Sequence, residues 1–207
     1  MKALIVAKTR MQNAACIGGI LENNRSVRLL QPNGHNHPQD TDYQVGQVWE
    51  IEFQERQDII PPHVEDILVQ RRRLLGTYEH LGKYLRARVK IWKGGIENLY
   101  DGFIRFTQNG SGYICHKIGL PSVSTGYWLP DKPLALVYDS NQPNKVRYKY
   151  AVTGYDKYVS YVGYEEPLPT IPANTLIRVS LARWWKPDDA PEMEERCYLQ
   201  LSGWYLK

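Results

Sequence analysis

The sequence has little phenylalanine, few cysteines and no long apolar run. Only 3 of its 207 residues are Phe and 3 are Cys. Cys16, Cys115 and Cys197 are odd in number and widely spaced, with no Cys-x-x-Cys pair. That usage fits a reduced, cytoplasmic chain and allows one disulfide at most. Near the start, "ALIVA" is too short for a signal segment or a membrane span, so no membrane partner is expected. The sequence has no G-x-x-x-x-G-K-[ST], no G-x-G-x-x-G after a strand, no G-x-S-x-G and no H-E-x-x-H. No catalytic residue, metal ligand or cofactor is assigned on this basis. Charge of one sign is also scarce: 26 Lys and Arg face 22 Asp and Glu, for a net +4. This balance permits an anionic partner without demanding one.

What the sequence does have is hydrophobic mass and polar aromatics. Hydrophobic residues make up 43%, enough for a packed core, and 15 Tyr and 6 Trp dominate the aromatics. Tyr and Trp carry an apolar body and a polar tip, which suits walls and binding surfaces as well as cores. The first part of the chain predicts strands. "KALIVAKT" is one, and "ACIGGIL" and "SVRLLQ" form a hairpin around Glu22-Asn23-Asn24. "NGHNHPQDTD" is a polar loop. "VGQVWEIEF" alternates, with Gln47 and Trp49 on one face and Val48 and Glu50 on the other. Pro61-Pro62 forbids a helix across them, and "HVEDILV" after them is short and apolar-rich. From Tyr78 the spacing of Tyr78, Leu81 and Leu85 predicts a helix, and "GGIENLYDGF" a second short one.

The β pattern then restarts. Six strands are expected in "GSGYICHKIG", "KPLALVYD", "KVRYKYAVTGY", "KYVSYVGY", "TLIRVSLARWW" and "RCYLQLSGWYL". Within "KVRYKYAV", Lys145, Arg147 and Lys149 share one face, and Val146, Tyr148 and Tyr150 the other. The last two strands pair across the acidic, proline-containing loop "KPDDAPEMEE", so the chain end closes a barrel instead of fraying. Trp184, Trp185 and Trp204 would be partly core and partly wall.

The N-terminal "TRMQNAACIGGI" and "SVRLLQP", the later "PHVEDILV", and the closing "LIRVSLARWW" and "RCYLQLSGWY" resemble the bacterial dual OB-containing domain family along the whole chain. The resemblance implies two tandem OB-like barrels and a nucleic-acid-binding accessory in a prokaryotic defence or repair setting. It carries no catalytic residues. The expectation is therefore a mainly β chain of two tandem OB-like β-barrels with a short helical insertion, residues 1–101 and 102–207.

Candidate binding residues fall in three groups. In the tyrosine-rich stretch after Asn144, Tyr148 and Tyr158 would stack bases while Lys145, Arg147 and Lys149 meet phosphates. The same tyrosines also suit ordinary barrel strands. Arg71, Arg73, Arg86 and Arg88 form the densest charge and would bind phosphate between the barrels; the alternative is a solvated face. Lys8, Arg10 and Arg28 form a smaller N-terminal set. His35, His37 and His63, with carboxylates nearby, are candidates for a metal site or acid–base work; the simpler reading is a polar loop for the first two and a strand-end histidine with hydrogen-bonding carboxylates for His63. The function expected is non-catalytic binding of single-stranded DNA or RNA. Two alternatives stand beside it: a protein-interaction module recruiting a nuclease or helicase, and a small enzyme or nucleotide sensor with a pocket between the barrels.

Overall fold

The computed structural model describes residues 1–139, 142–189 and 191–206. Lys207, the last residue of the expected second barrel, lies outside the described residues. The chain forms two compact units, Met1–Val89 and Lys90–Leu206.

The first unit contains β1 (Lys2–Met11), β2 (Ala14–Leu21), β3 (Ser26–Leu30), β4 (His37–Pro38), β5 (Gln47–Glu55), β6 (Asp66–Thr77) and helix α1 (Leu81–Arg86). Ala3 pairs with Leu21 on one side and Trp49 on the other, so β1 closes the sheet. The cyclic order is β1-β2-β3-β6-β5, with β3 and β6 parallel and the other neighbours antiparallel. This is a closed five-stranded barrel of the OB type. Ile5, Ile17, Leu29, Ile51 and Ile67 are fully buried inside it. Each such side chain contributes about 1.5–3 kcal/mol on burial. The turn between β2 and β3 places Asn24 at φ 66°, a left-handed conformation that Asn tolerates.

β6 is longer than the apolar pattern predicts. Its second half, Gln70–Thr77, is exposed on both faces, so hydrophobic periodicity cannot signal it. The antiparallel ladder with β5, from Gln47 opposite Thr77 to Glu52 opposite Arg71, carries it instead, and charge pairs lie over it. Arg71 pairs with Glu52 at 3.8 Å, Arg73 with Glu50 at 2.7 Å, and Arg72 with Asp42 at 2.6 Å.

The second unit contains β7 (Ile91–Gly94), a 3-10 segment (Ile96–Gly102), β8 (Arg105–Phe106), β9 (Gly112–Cys115), a 3-10 turn (His116–Ile118) and β10 (Thr125–Pro130). There follow β11 (Leu134–Asp139), β12 (Gln142–Tyr150), β13 (Lys157–Tyr161), β14 (Thr170–Ile171), β15 (Leu176–Leu181) and β16 (Arg196–Tyr205). The sheet runs β14-β11-β12-β13-β16-β15-β10-β7, with β13 and β16 parallel. Only Asp131-Lys132-Pro133 separate β10 from β11. Taken as one bent strand, β10–β11 meets β12 at one end and β15 at the other. The order β10/β11-β12-β13-β16-β15 then repeats that of the first unit, a second OB-type arrangement.

Strand β10 is absent from the expectation drawn from sequence. Tyr127, Trp128 and Pro130 are all buried, so it shows no clear alternation. The helical insertion expected around 78–100 is reduced to α1 and the 3-10 segment, with β7 between them. Trp128, Tyr148, Ile177, Val179 and Leu201 are fully buried in the second core. The chain end does close this unit: β16 pairs with β15, β13 and β9. A bulge beside Ser202 shifts its alternation, so that Cys197, Leu199 and Leu201 as well as Trp204 join the core.

Candidate functional site

Alternation along β12, β13 and β16 sends one set of side chains into the core and the other outward. The outward set forms the floor of a groove of about 1360 Å³ in the second unit. β12 contributes Lys145 and Arg147, β13 contributes Tyr158 and Ser160, and β16 contributes Tyr198 and Gln200. Register aligns them: Arg147 lies opposite Ser160, and Ser160 opposite Gln200.

One wall comes from the segment after β15. Trp185 N donates to Arg196 O at 3.1 Å, and Arg196 N returns a bond to Trp185 O at 2.9 Å. This backbone pair fixes the Trp185 ring 6.0 Å from the Tyr198 ring while leaving Trp185 53% exposed. Its neighbour Trp184 is turned away and stacks on His116 at 4.1 Å. The opposite wall is the β8–β9 turn, which contributes Thr107, Asn109 and Ser111.

The groove is electropositive. Lys145, Arg147 and Arg196 line it, and none of the described residues lining it is acidic. Arg196 lies 4.1 Å over the Tyr113 ring and 3.3 Å from Glu194. Burial works against the guanidinium charge, but hydrogen bonding with Tyr198 and attraction from Tyr113 and Glu194 outweigh it and raise its pKa. Arg196 is therefore a fixed cation beside two aromatic faces.

The structure gathers three of the residues expected from sequence, Lys145, Arg147 and Tyr158, in this groove. Tyr148 is elsewhere. It is fully buried in the core, its hydroxyl donates to Leu168 O at 2.8 Å, and burial pushes its pKa up to about 12. Strand alternation puts it on the face opposite Arg147, so one surface cannot use both. Lys149 is outward but sits 3.2 Å from Asp156.

The remaining expected residues belong to the first unit. Lys8 donates to Thr41 O at 2.9 Å, and Arg10 is exposed on β1. Arg28 bonds Asp66 through Nε at 2.5 Å, and Arg56 holds the other oxygen at 3.2 Å. Arg71 and Arg73 are paired across β5 and β6 as described above. Arg86 ends α1, and Arg88 covers the Tyr84 ring at 4.2 Å.

Trp185, Tyr198, Arg196, Gln200 and Asn109 are groove residues that sequence reasoning did not select. The period-two pattern of Arg196, Tyr198 and Gln200 in "RCYLQLSGWYL" carried a usable signal. Trp185 and Asn109 lie in loops, where no period reports orientation.

The three histidines considered as ligands are not brought together. Among the described residues, no group of three or more His, Cys, Asp or Glu could hold a metal ion. His37 is buried beside Tyr43, and burial and the nearby Arg72 lower its pKa to about 4. All three cysteines are free; burial raises the pKa of Cys115, and that of Cys197 to about 12. Among the described residues, no helix is long and apolar enough to cross a membrane.

The family model described as a dual OB-containing domain matches residues 1–204. No curated protein matches the chain.

Proposed function

The chain belongs to the dual OB-containing domain family, and on that premise we propose that its second barrel binds single-stranded nucleic acid without acting on it. One observation carries this reading. OB folds bind oligonucleotides on the face of their second and third strands, flanked by the loop between the fourth and fifth. In the second unit those strands are β12 and β13, and that loop holds Trp185. The electropositive groove lies on that face and is bounded by that loop. Tyr158, Trp185 and Tyr198 supply faces for stacking, and Lys145, Arg147 and Arg196 supply charge for phosphates.

The corresponding face of the first barrel does not have this chemistry. β2 and β3 contain no aromatic residue, and their one cation, Arg28, is bound to Asp66. The structure of that unit favours a scaffold role over a second strand site.

Stacking is worth about 1–3 kcal/mol per base, so two or three platforms with three phosphate contacts support micromolar binding. The test is fluorescence anisotropy with labelled single-stranded DNA, single-stranded RNA and duplex DNA at low and moderate salt. The reading expects micromolar or tighter binding to a single strand, weaker binding to duplex, and loss on adding salt. Absence of binding to every strand would overturn it and favour a module that recruits a nuclease or helicase. The proposal includes an accessory role in a prokaryotic defence or repair setting. The bound strand then stays intact when incubated with this protein alone, and cleavage would refute the non-catalytic part.

A further inference from the structure

The segment before β16 is strongly acidic. Residues 186–195, "KPDDAPEMEE", hold five carboxylates against one lysine. Asp188, Asp189, Glu192 and Glu195 are exposed, as solvated charges should be. Glu194 is drawn in, with its side chain 20% exposed.

Three donors hold it there. Arg196 Nη2 lies 3.3 Å from one carboxylate oxygen and Lys117 Nζ 3.6 Å from the other. The thiol of buried Cys115 also hydrogen-bonds the carboxylate. Burial works against the charge, but these donors outweigh it and hold the Glu194 carboxyl below its usual range. Cys115 ends β9 and Lys117 lies in the turn after it, so Glu194 fastens its loop to that strand.

Arg196 belongs to both surroundings: it lines the groove, and Glu194 does not. The Tyr113 ring takes one face of the guanidinium at 4.1 Å. A ring face and one carboxylate contact leave donors over for a ligand. Arg196 Nε, shut away from water, has no hydrogen-bond acceptor. A mobile arginine must give up its rotamer freedom when it meets a phosphate, and one already held does not pay that entropy on binding.

We propose that Glu194 is a positioning residue for the strand site: it holds Arg196 in place at the groove so that the remaining guanidinium donors meet a phosphate. This inference rests on the groove's binding of a single strand. It reverses the simple electrostatic expectation. A carboxylate about 6 Å from a phosphate repels it, and through water its removal alone would tighten binding about 3-fold. A hydrogen bond to a charged group is worth about 10- to 150-fold, so losing the ordered arginine contact outweighs that gain.

The test is anisotropy with labelled oligothymidine and oligouridine over a range of salt. It compares native protein with Glu194→Ala, Glu194→Gln, Arg196→Gln and the double variant Glu194→Ala/Arg196→Gln, with thermal unfolding of each. Glu194→Ala weakens binding about 5-fold or more and lowers the salt slope by about 0.7, as Arg196→Gln does. Glu194→Gln keeps the shape and an oxygen for Arg196, so its affinity falls between native protein and Glu194→Ala. The double variant binds as Arg196→Gln does, because no guanidinium is left to position. A merely structural Glu194 would disturb the loop and Trp185 too, and its loss would then weaken Arg196→Gln further. That further loss overturns the inference, as does native or tighter binding by either Glu194 variant. In those cases native protein still binds and the groove reading stands. Failure of native protein to bind either strand overturns both.

Discussion

Trp185 separates binding from stability better than any other residue in the groove. Its ring is 53% exposed, and its backbone pairing with Arg196 does not need the side chain. Truncating a fully buried Trp costs about 3–5 kcal/mol. With half of the residue already in water, Trp185→Ala should cost about half as much, roughly 1.5–2.5 kcal/mol. For a unit of this size that lowers Tm by about 5–15 °C, short of unfolding it. A stacked base is worth about 1–3 kcal/mol, so the same substitution should weaken strand binding about 5- to 150-fold. The dependence on salt should stay unchanged, because no charge is removed. Thermal unfolding and anisotropy titration at several salt concentrations read all three quantities. Trp204 is the comparison: at 7% exposure in the core, Trp204→Ala should unfold the unit or lower its stability by several kcal/mol. A folded Trp185→Ala protein with native affinity would refute the placement of a base on that ring. A large loss of Tm would show that the ring is structural.

Gly110→Ala forces a Cβ against the Asp156 carbonyl at a left-handed φ, so it should loosen the β8–β9 turn. A loss of about 1–3 kcal/mol in denaturant unfolding and weaker strand binding are expected, and a neutral effect on both would contradict the anchoring. Arg71→Ala and Arg73→Ala break exposed pairs on β5 and β6 and should each change stability by less than about 1 kcal/mol. Strand affinity should be unaltered in both, and a clear loss would bring the first barrel back as a binding surface. His37 is lowered to about 4 from its ordinary 6.5, so the unfolded chain binds an extra proton between those values. Its contribution is fully present above pH 6.5 and is lost as pH falls to about 4, by up to about 3 kcal/mol. His37→Gln should flatten that acid limb in equilibrium unfolding, and an unchanged limb would refute the assignment.

Strands with one buried face were legible in the sequence. The alternation in "VGQVWEIEF" and "NKVRYKYAV" marks β5 and β12 and puts Arg147 and Tyr148 on opposite faces, as they are in the structure. Segments with both faces in one environment were not legible. The second half of β6 is wet on both sides, and β10 is largely dry on both, so neither has a period to read. The candidate site was half legible for the same reason. Lys145, Arg147 and Tyr158 sit on alternating strands. Trp185 and Asn109 lie in loops placed by backbone hydrogen bonds, Trp185 to Arg196 and the turn at Asn109 to Tyr158 through Gly110, and no period reports such contacts. Charge density in the sequence does not report pairing: the run Arg71-Arg72-Arg73 stands out, and in space Glu52, Asp42 and Glu50 lie against all three.

The central claim is that Lys145, Arg147 and Arg196 meet the phosphates of a single strand in the groove of the second barrel. Three phosphate contacts on a single strand predict a slope of log affinity against log salt near −2. The decisive measurement is that slope for the native protein and for Arg147→Gln. A slope near −2 that falls by about 0.7 in the variant is the predicted result. A flat response in the native protein, or a steep one that Arg147→Gln leaves untouched, would contradict the account.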